Sequence, residues 1–151
     1  MGEVRQLGMD AVVKDRGEEA ARRVWRGLRE LVLDRNDRRK EAAEALGMSF
    51  IRAKALIRIA AEPLTLRALA AHLVIDAPYT TLVVDDLVKR GLVERTAHPE
   101  DRRCKLVHAT EAGLAAARTA GRILDTPPDS LRTLDPDDMA TLDRIVARLL
   151  G

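Results

Sequence analysis

Residues 91–113, GLVERTAHPEDRRCKLVHATEAG, decide the fold. Two β-prone runs, 92–96 and 104–109, bracket a charged tip of His98, Pro99, Glu100, Asp101, Arg102 and Arg103. The pattern predicts a hairpin with two adjacent guanidiniums at its end. Upstream, 65–73 and 76–90 each carry apolar residues at helical spacing, separated only by Val74 and Ile75. Helix, tight turn, helix, hairpin is the order of a winged helix-turn-helix, and a wing with a basic tip suits phosphates or a minor groove.

Working outward, Thr65 is placed to cap the first of these helices, whose Leu66, Leu69, Ala70 and Leu73 form one apolar stripe. Asp76 is a good cap for the second, with Pro78 in its first turn, where a missing N–H is harmless. Its Thr80, Val83, Val84 and Leu87 share one side and should face the core, and Gly91 closes it. Thr110 caps a helix running to about residue 124. Asp135-Pro136-Asp137-Asp138 starts a last helix that runs to about residue 150. On the N-terminal side, residues 1–9 read as irregular and 18–33 as a helix, followed by a polar break at 34–37. A short helix, 38–46, is stopped by Gly47, and a further helix, 50–61, has Ser49 as its cap.

The hairpin also carries a spacing pattern. Leu87, Gly91-Leu92-Val93, Arg95, His98-Pro99, Asp101-Arg102-Arg103, Lys105-Leu106-Val107, Thr110 and Gly113 fit LxxxGLVxR, then HPxDRRxKLVxxT, then a glycine three residues on. This resembles the MarR family of bacterial transcription regulators. The resemblance implies an obligate homodimer that binds a palindromic operator and often releases it when a small molecule or oxidant arrives. It also implies one long helix where the sequence reads as two pieces, 38–46 and 50–61.

The expected architecture is mainly α with a small β-hairpin wing. N-terminal dimerisation helices (1–46) precede a winged helix-turn-helix (47–113), and C-terminal dimerisation helices (114–151) follow it. The end helices have apolar faces that need a partner, and a symmetric dimer supplies one. Val24, Leu28, Leu142, Ile145, Val146 and Leu149 are the residues expected there.

Composition narrows the function classes. Three aromatics, Trp25, Phe50 and Tyr79, leave an aliphatic core suited to helices. The net charge of +2 does not identify a nucleic-acid binder, so DNA binding has to be argued from local geometry. The N-terminus lacks a signal-like apolar segment, no run is long enough to span a bilayer, and one cysteine excludes an internal disulfide, so the expected location is the cytoplasm.

On the second HTH helix the outward stripe is Ala77, Pro78, Thr81 and Leu82, with Tyr79 at its edge. Hydroxyls of Tyr79 and Thr81 and apolar contacts from Ala77, Pro78 and Leu82 to thymine methyls are its means of reading a major groove. Many members of the family carry a basic residue where Leu82 stands. Asp85 and Asp86 on this helix disfavour phosphate unless they are paired, and Asp85 is placed to hold an arginine of the wing or of a neighbouring helix. Arg102 and Arg103 are the expected minor-groove contacts, Asp101 the residue that orders the wing, and Lys89, Arg90 and Lys105 generic phosphate contacts.

Cys104 reads as a small strand residue rather than a redox switch, since sensing members of the family place the thiol in the first helix. His72, His98 and His108 lack metal-site spacing, and neither a catalytic constellation nor a cofactor motif appears. An effector pocket is expected where the dimerisation helices meet the HTH core, with Arg22, Trp25, Phe50 and Arg52 as candidates and plain core packing as the alternative for Trp25 and Phe50. The leading expectation is a homodimeric regulator, a repressor, on double-stranded DNA. The competing one is a winged-helix interaction module that has lost DNA binding.

Overall fold

A computed structural model of the chain describes residues 2–151, with side chains from residue 13 onward; residue 1 of the expected N-terminal segment lies outside the described residues. The chain forms two compact units, the first ending at Arg38 and the second running from Arg39 to Gly151. In the first, α1 (Gly2–Arg29) begins well before the expected 18 and covers most of the stretch read as irregular. No proline stands before Pro63 to stop it. Its last turn continues as a π-helical segment, Glu30–Arg35. There Arg35 Nε donates to Glu30 Oε1 at 2.8 Å, and Asn36 Nδ2 donates to the Leu31 carbonyl at 2.9 Å.

Then come α2 (Arg38–Leu46) and α3 (Phe50–Ala61), two pieces as read. Gly47 separates them at φ +59°, and the Met48 N–H reaches the Ala43 carbonyl at 3.1 Å, a Schellman closure that a helix-continuing residue would not make. The expected Ser49 cap is not formed by its side chain: the Ser49 hydroxyl instead accepts from Arg52 Nη1 at 2.9 Å.

The winged core consists of β1 (Leu64–Thr65), α4 (Leu66–Leu73), α5 (Ala77–Lys89), β2 (Val93–Ala97) and β3 (Lys105–Ala109). Thr65 Oγ1 accepts from Ala68 N at 3.1 Å and Asp76 Oδ1 from Tyr79 N at 2.7 Å, so both helices start where their caps stand. The turn between them puts Val74 in the left-handed region, φ +56°, and returns the Ile75 N–H to the Ala70 carbonyl. The wing is the expected hairpin, with Arg95 opposite Val107 and Thr96 opposite Leu106. β1, too short to read from the sequence, adds a third antiparallel strand on the far side of β3, with Leu64 opposite Val107.

Thr80, Val83, Val84 and Leu87 of α5 are all fully buried, as their spacing requires. Val83, Val84 and Leu87 join Leu56 and Ile59 of α3, Leu69 and Leu73 of α4, and Val93 and Val107 of the sheet. Each such aliphatic side chain contributes about 1.5–3 kcal/mol through burial. α6 (Glu111–Leu124) lies on α3, and Ala55 and Ala117 belong to the same buried cluster. α7 (Asp129–Arg132) and α8 (Pro136–Leu150) follow, α8 capped by Asp135, which accepts from the Asp137 and Asp138 N–H groups at 3.0 Å.

Candidate nucleic-acid interface

Burying Thr80, Val83, Val84 and Leu87 turns the opposite stripe of α5 outward. Ala77, Pro78, Thr81 and Leu82 are exposed, Leu82 at 61%, with Tyr79 at 39%. Neither threonine hydroxyl is idle: Thr80 Oγ1 donates to the Asp76 carbonyl at 2.8 Å and Thr81 Oγ1 to the Ala77 carbonyl at 3.1 Å.

The two carboxylates on this helix are neutralised. Asp85 Oδ1 accepts from Arg95 Nη2 of β2 at 2.5 Å, the ion pair to the wing for which its position is suited. Asp86 Oδ2 accepts from Arg52 Nε of α3 at 3.0 Å and from Arg90 Nε at 2.7 Å, and Arg90 Nη1 reaches the Gly47 carbonyl at 3.1 Å. The hydrogen bond from Arg90, with the positive charge of Arg90 and Arg52 around it, outweighs partial desolvation and lowers the Asp86 pKa below its ordinary 3.8. Asp86 therefore clamps α5 to α3 and to the end of α2. Arg90 and Arg52, expected at phosphate and effector positions, have their guanidiniums engaged in this clamp.

The wing tip is ordered from within. Asp101 accepts twice from the backbone, Arg103 N on Oδ1 and Cys104 N on its carbonyl, both at 3.0 Å. His98 N donates across the hairpin to the Cys104 carbonyl at 3.0 Å, and Glu100 N to His98 Nδ1 at 3.1 Å. With the loop held this way, Arg102 and Arg103 are both exposed. Cys104 is exposed too, its Sγ donating to Asp101 Oδ2 at 3.7 Å.

Two contributors escape a sequence reading. Arg67, at the start of α4, lines a cleft of about 390 Å³ together with Arg95, Arg103 and Lys105, so α4 and the wing present cations side by side. The spacing of α4 marks Arg67 only as surface. Arg95 sits on β2 as one residue of the GLVxR pattern, and its role as the link to Asp85 depends on a contact ten positions away. Lys89 and Lys105 are exposed at the end of α5 and the start of β3.

Of the remaining candidates, Arg22 and Trp25 are exposed on α1, Trp25 at 68%, so Trp25 is not core within its unit. Phe50 is half-buried at the start of α3. Val24 and Leu28 on α1 and Ile145, Val146 and Leu149 on α8 are exposed, while Leu142 is half-buried. Among the described residues no group of three or more His, Cys, Asp or Glu is arranged to hold a metal ion, and no helix is long and apolar enough to cross a membrane.

A two-helix HTH with an outward-facing second helix, and an arginine-tipped antiparallel wing beside it, define a winged helix-turn-helix protein. Residues 56–105, from α3 to the start of β3, match the family model described as the MarR family. Over 78 residues the chain is 31% identical to the multiple antibiotic resistance protein MarR of Escherichia coli strain K12, covering 50% of this chain and 54% of that protein, so the match spans about half the length of the relative. The crystal structure of apo wild-type MarR from Escherichia coli superposes with a TM-score of 0.69 at 26% identity, over 83% of this chain and 95% of that one. A mutant MarR from the same organism, complexed with operator DNA, gives a TM-score of 0.59 at 26% identity, over 85% and 94% of the two chains. Residues 56–105 thus carry the MarR-family pattern, and the chain is similar in fold to MarR over most of its length.

Proposed function

We propose that this chain is a homodimeric transcription regulator, a repressor, that binds a pseudo-palindromic duplex operator and is released from it by a small-molecule effector. The observation that carries the reading is the pairing of an exposed α5 face with a wing tip whose backbone is pinned by Asp101 and whose Arg102 and Arg103 are left exposed. α5 would lie in the major groove through Ala77, Pro78, Tyr79, Thr81 and Leu82, and Arg102 and Arg103 in the flanking minor groove. Lys89, Lys105 and Arg67 would meet phosphates. The likeness to a mutant MarR complexed with operator DNA supports DNA as the partner.

The competing interaction module draws its credit from a lean, partly acidic recognition face. The acidic part of that credit falls, because Asp85 and Asp86 are both held by arginines. The exposed apolar residues of α1 and α8 support a dimer, in which two α5 helices would meet successive major grooves. An effector that changed their separation would disengage both helices together.

A gel shift of the full chain against the DNA upstream of its own gene, repeated over a salt series, tests this. A discrete complex whose affinity falls steeply with salt is the expected result. Absence of a sequence-specific complex at low salt would leave the interaction module as the better reading.

A further inference from the structure

We infer that the major-groove part of the operator is recognised through thymine methyl groups, with Leu82 as the specificity-determining side chain and guanine excluded as a required base. The inference rests on the DNA-binding reading above and concerns which bases α5 selects.

Strong guanine recognition takes a forked or multiple cationic donor presented to O6 and N7. The exposed stripe of α5 has none: its side chains are Ala77, Pro78, Tyr79, Thr81 and Leu82. The cations on the same helix are in its last turn, Lys89 seven residues beyond Leu82, which is about 10 Å along the axis at 1.5 Å per residue. Just past it, Arg90 is tied to Asp86 and Gly47. The carboxylates of the helix point to its arginine partners, Asp85 Oδ1 to Arg95 and Asp86 Oδ2 to Arg52 and Arg90, and lie off the outward stripe.

What remains is apolar. Thr81 directs its hydroxyl proton to the Ala77 carbonyl, so toward a base it offers its methyl and an oxygen that can only accept, which cannot satisfy the guanine O6 and N7 acceptors. Leu82 is 61% exposed and Pro78 is exposed one turn earlier on the helix. In the major groove the one apolar feature of a base edge is the C5 methyl of thymine. Covering it with the isobutyl group of Leu82 removes both from water and gains about threefold to fivefold in affinity per methyl buried. The Tyr79 hydroxyl is the one side-chain donor left on the stripe and serves equally as acceptor, so it imposes no guanine.

The test uses the full chain. Duplexes are selected from a random pool, and the selected site is then resynthesised with each thymine in turn replaced by deoxyuridine, which deletes only the methyl. At least one thymine per half-site should lose about threefold to fivefold in affinity when replaced. In Leu82→Ala the same replacement should have no effect, while the salt dependence set by the wing and phosphate contacts stays unchanged. Deoxyuridine duplexes that bind as tightly as the thymine duplexes, or an invariant guanine in each half-site whose replacement abolishes binding in the native chain and not in Leu82→Ala, would overturn the inference and leave DNA binding standing. A pool from which nothing is selected would overturn the DNA-binding reading, and this inference with it.

Discussion

Gly113 shows how one residue fixes the junction between wing and α6. A Cβ placed on it would stand 1.9 Å from the Leu92 carbonyl oxygen, a backbone atom that cannot swing aside as a side-chain end would. That carbonyl also accepts from Thr110 N at 3.0 Å, while the Thr110 hydroxyl donates to the Gly91 carbonyl at 2.7 Å and accepts from Gly113 N at 3.0 Å. Gly113→Ala should therefore destabilise the fold by about 2–3 kcal/mol, read as a lowered urea midpoint; an unchanged midpoint would mean that the strand and helix separate freely. The sequence carries this glycine only as a spacing, because the atom it must avoid is 21 positions away. Val74 is a converse case, a β-branched residue at φ +56° and 87% exposed. The two-residue turn is legible from the flanking periodicities, but its handedness is not. Val74→Gly removes the strain at little cost in packing and should raise stability by about 0.5–1 kcal/mol in the same assay. Asp86 supplies a pH signature. Its folded pKa lies below 3.8, chiefly through the hydrogen bond from Arg90, so its contribution is fully present at neutral pH and fades as the pH drops from about 5 through the folded value. Asp86→Asn should be less stable than the native chain by about 1 kcal/mol at pH 7, and the gap should narrow on acidification; a gap that does not change as the pH is lowered would exclude the ionised carboxylate as its source.

At the scale of elements, what could be read from sequence and what could not divide along the range of the interaction responsible. Thr65, Asp76, Thr110 and Asp135 all cap the helices assigned to them, since a cap bonds an N–H two or three residues on and is written locally. Ser49 has the same local signature and fails because Arg52, one turn ahead, takes its hydroxyl. β1 is two residues long and exists because β3 offers it an edge, a partner about forty positions away. The hairpin is legible through its alternation and tip, whereas the Asp85–Arg95 pair is legible only as a possibility: an acid on α5 in want of a cation. That pair makes wing and recognition helix one mechanical unit, so removing a guanidinium from the wing tip should weaken the whole complex. Arg103→Ala should reduce operator affinity about tenfold and lower the salt slope by about one per wing, with the far-UV circular dichroism unchanged. Native affinity and slope in that variant would remove the wing tip from binding.

For the whole molecule the open question is what covers the outer helices. On α8, Ile145, Val146, Leu149 and Leu150 are 44%, 41%, 73% and 83% exposed, and on α1 the same holds for Val24 and Trp25, at 61% and 68%. The helix-start signal at Asp135 and the apolar repeats make both helices legible in the sequence, but a repeat states only that a face is apolar, not which surface it meets. Left in water, two such faces on a chain of 151 residues are the kind of contiguous apolar surface that marks an interaction site. In the dimer proposed above a second copy would cover these faces, and each α5 with its wing would read one half of a pseudo-palindromic site. The chain should therefore sediment as a dimer at micromolar concentration. Val146→Asp combined with Leu149→Asp places two carboxylates on the α8 face while leaving the buried cluster around Leu56, Leu69 and Leu87 untouched. That double variant should sediment as a monomer and keep the helical circular dichroism of the winged core. It should bind the full operator more than about 100-fold less tightly, since the second half-site no longer benefits from the first. A native chain that sediments as a monomer yet binds the operator with full affinity would rule out this role for α8 and require each winged unit to find its half-site independently.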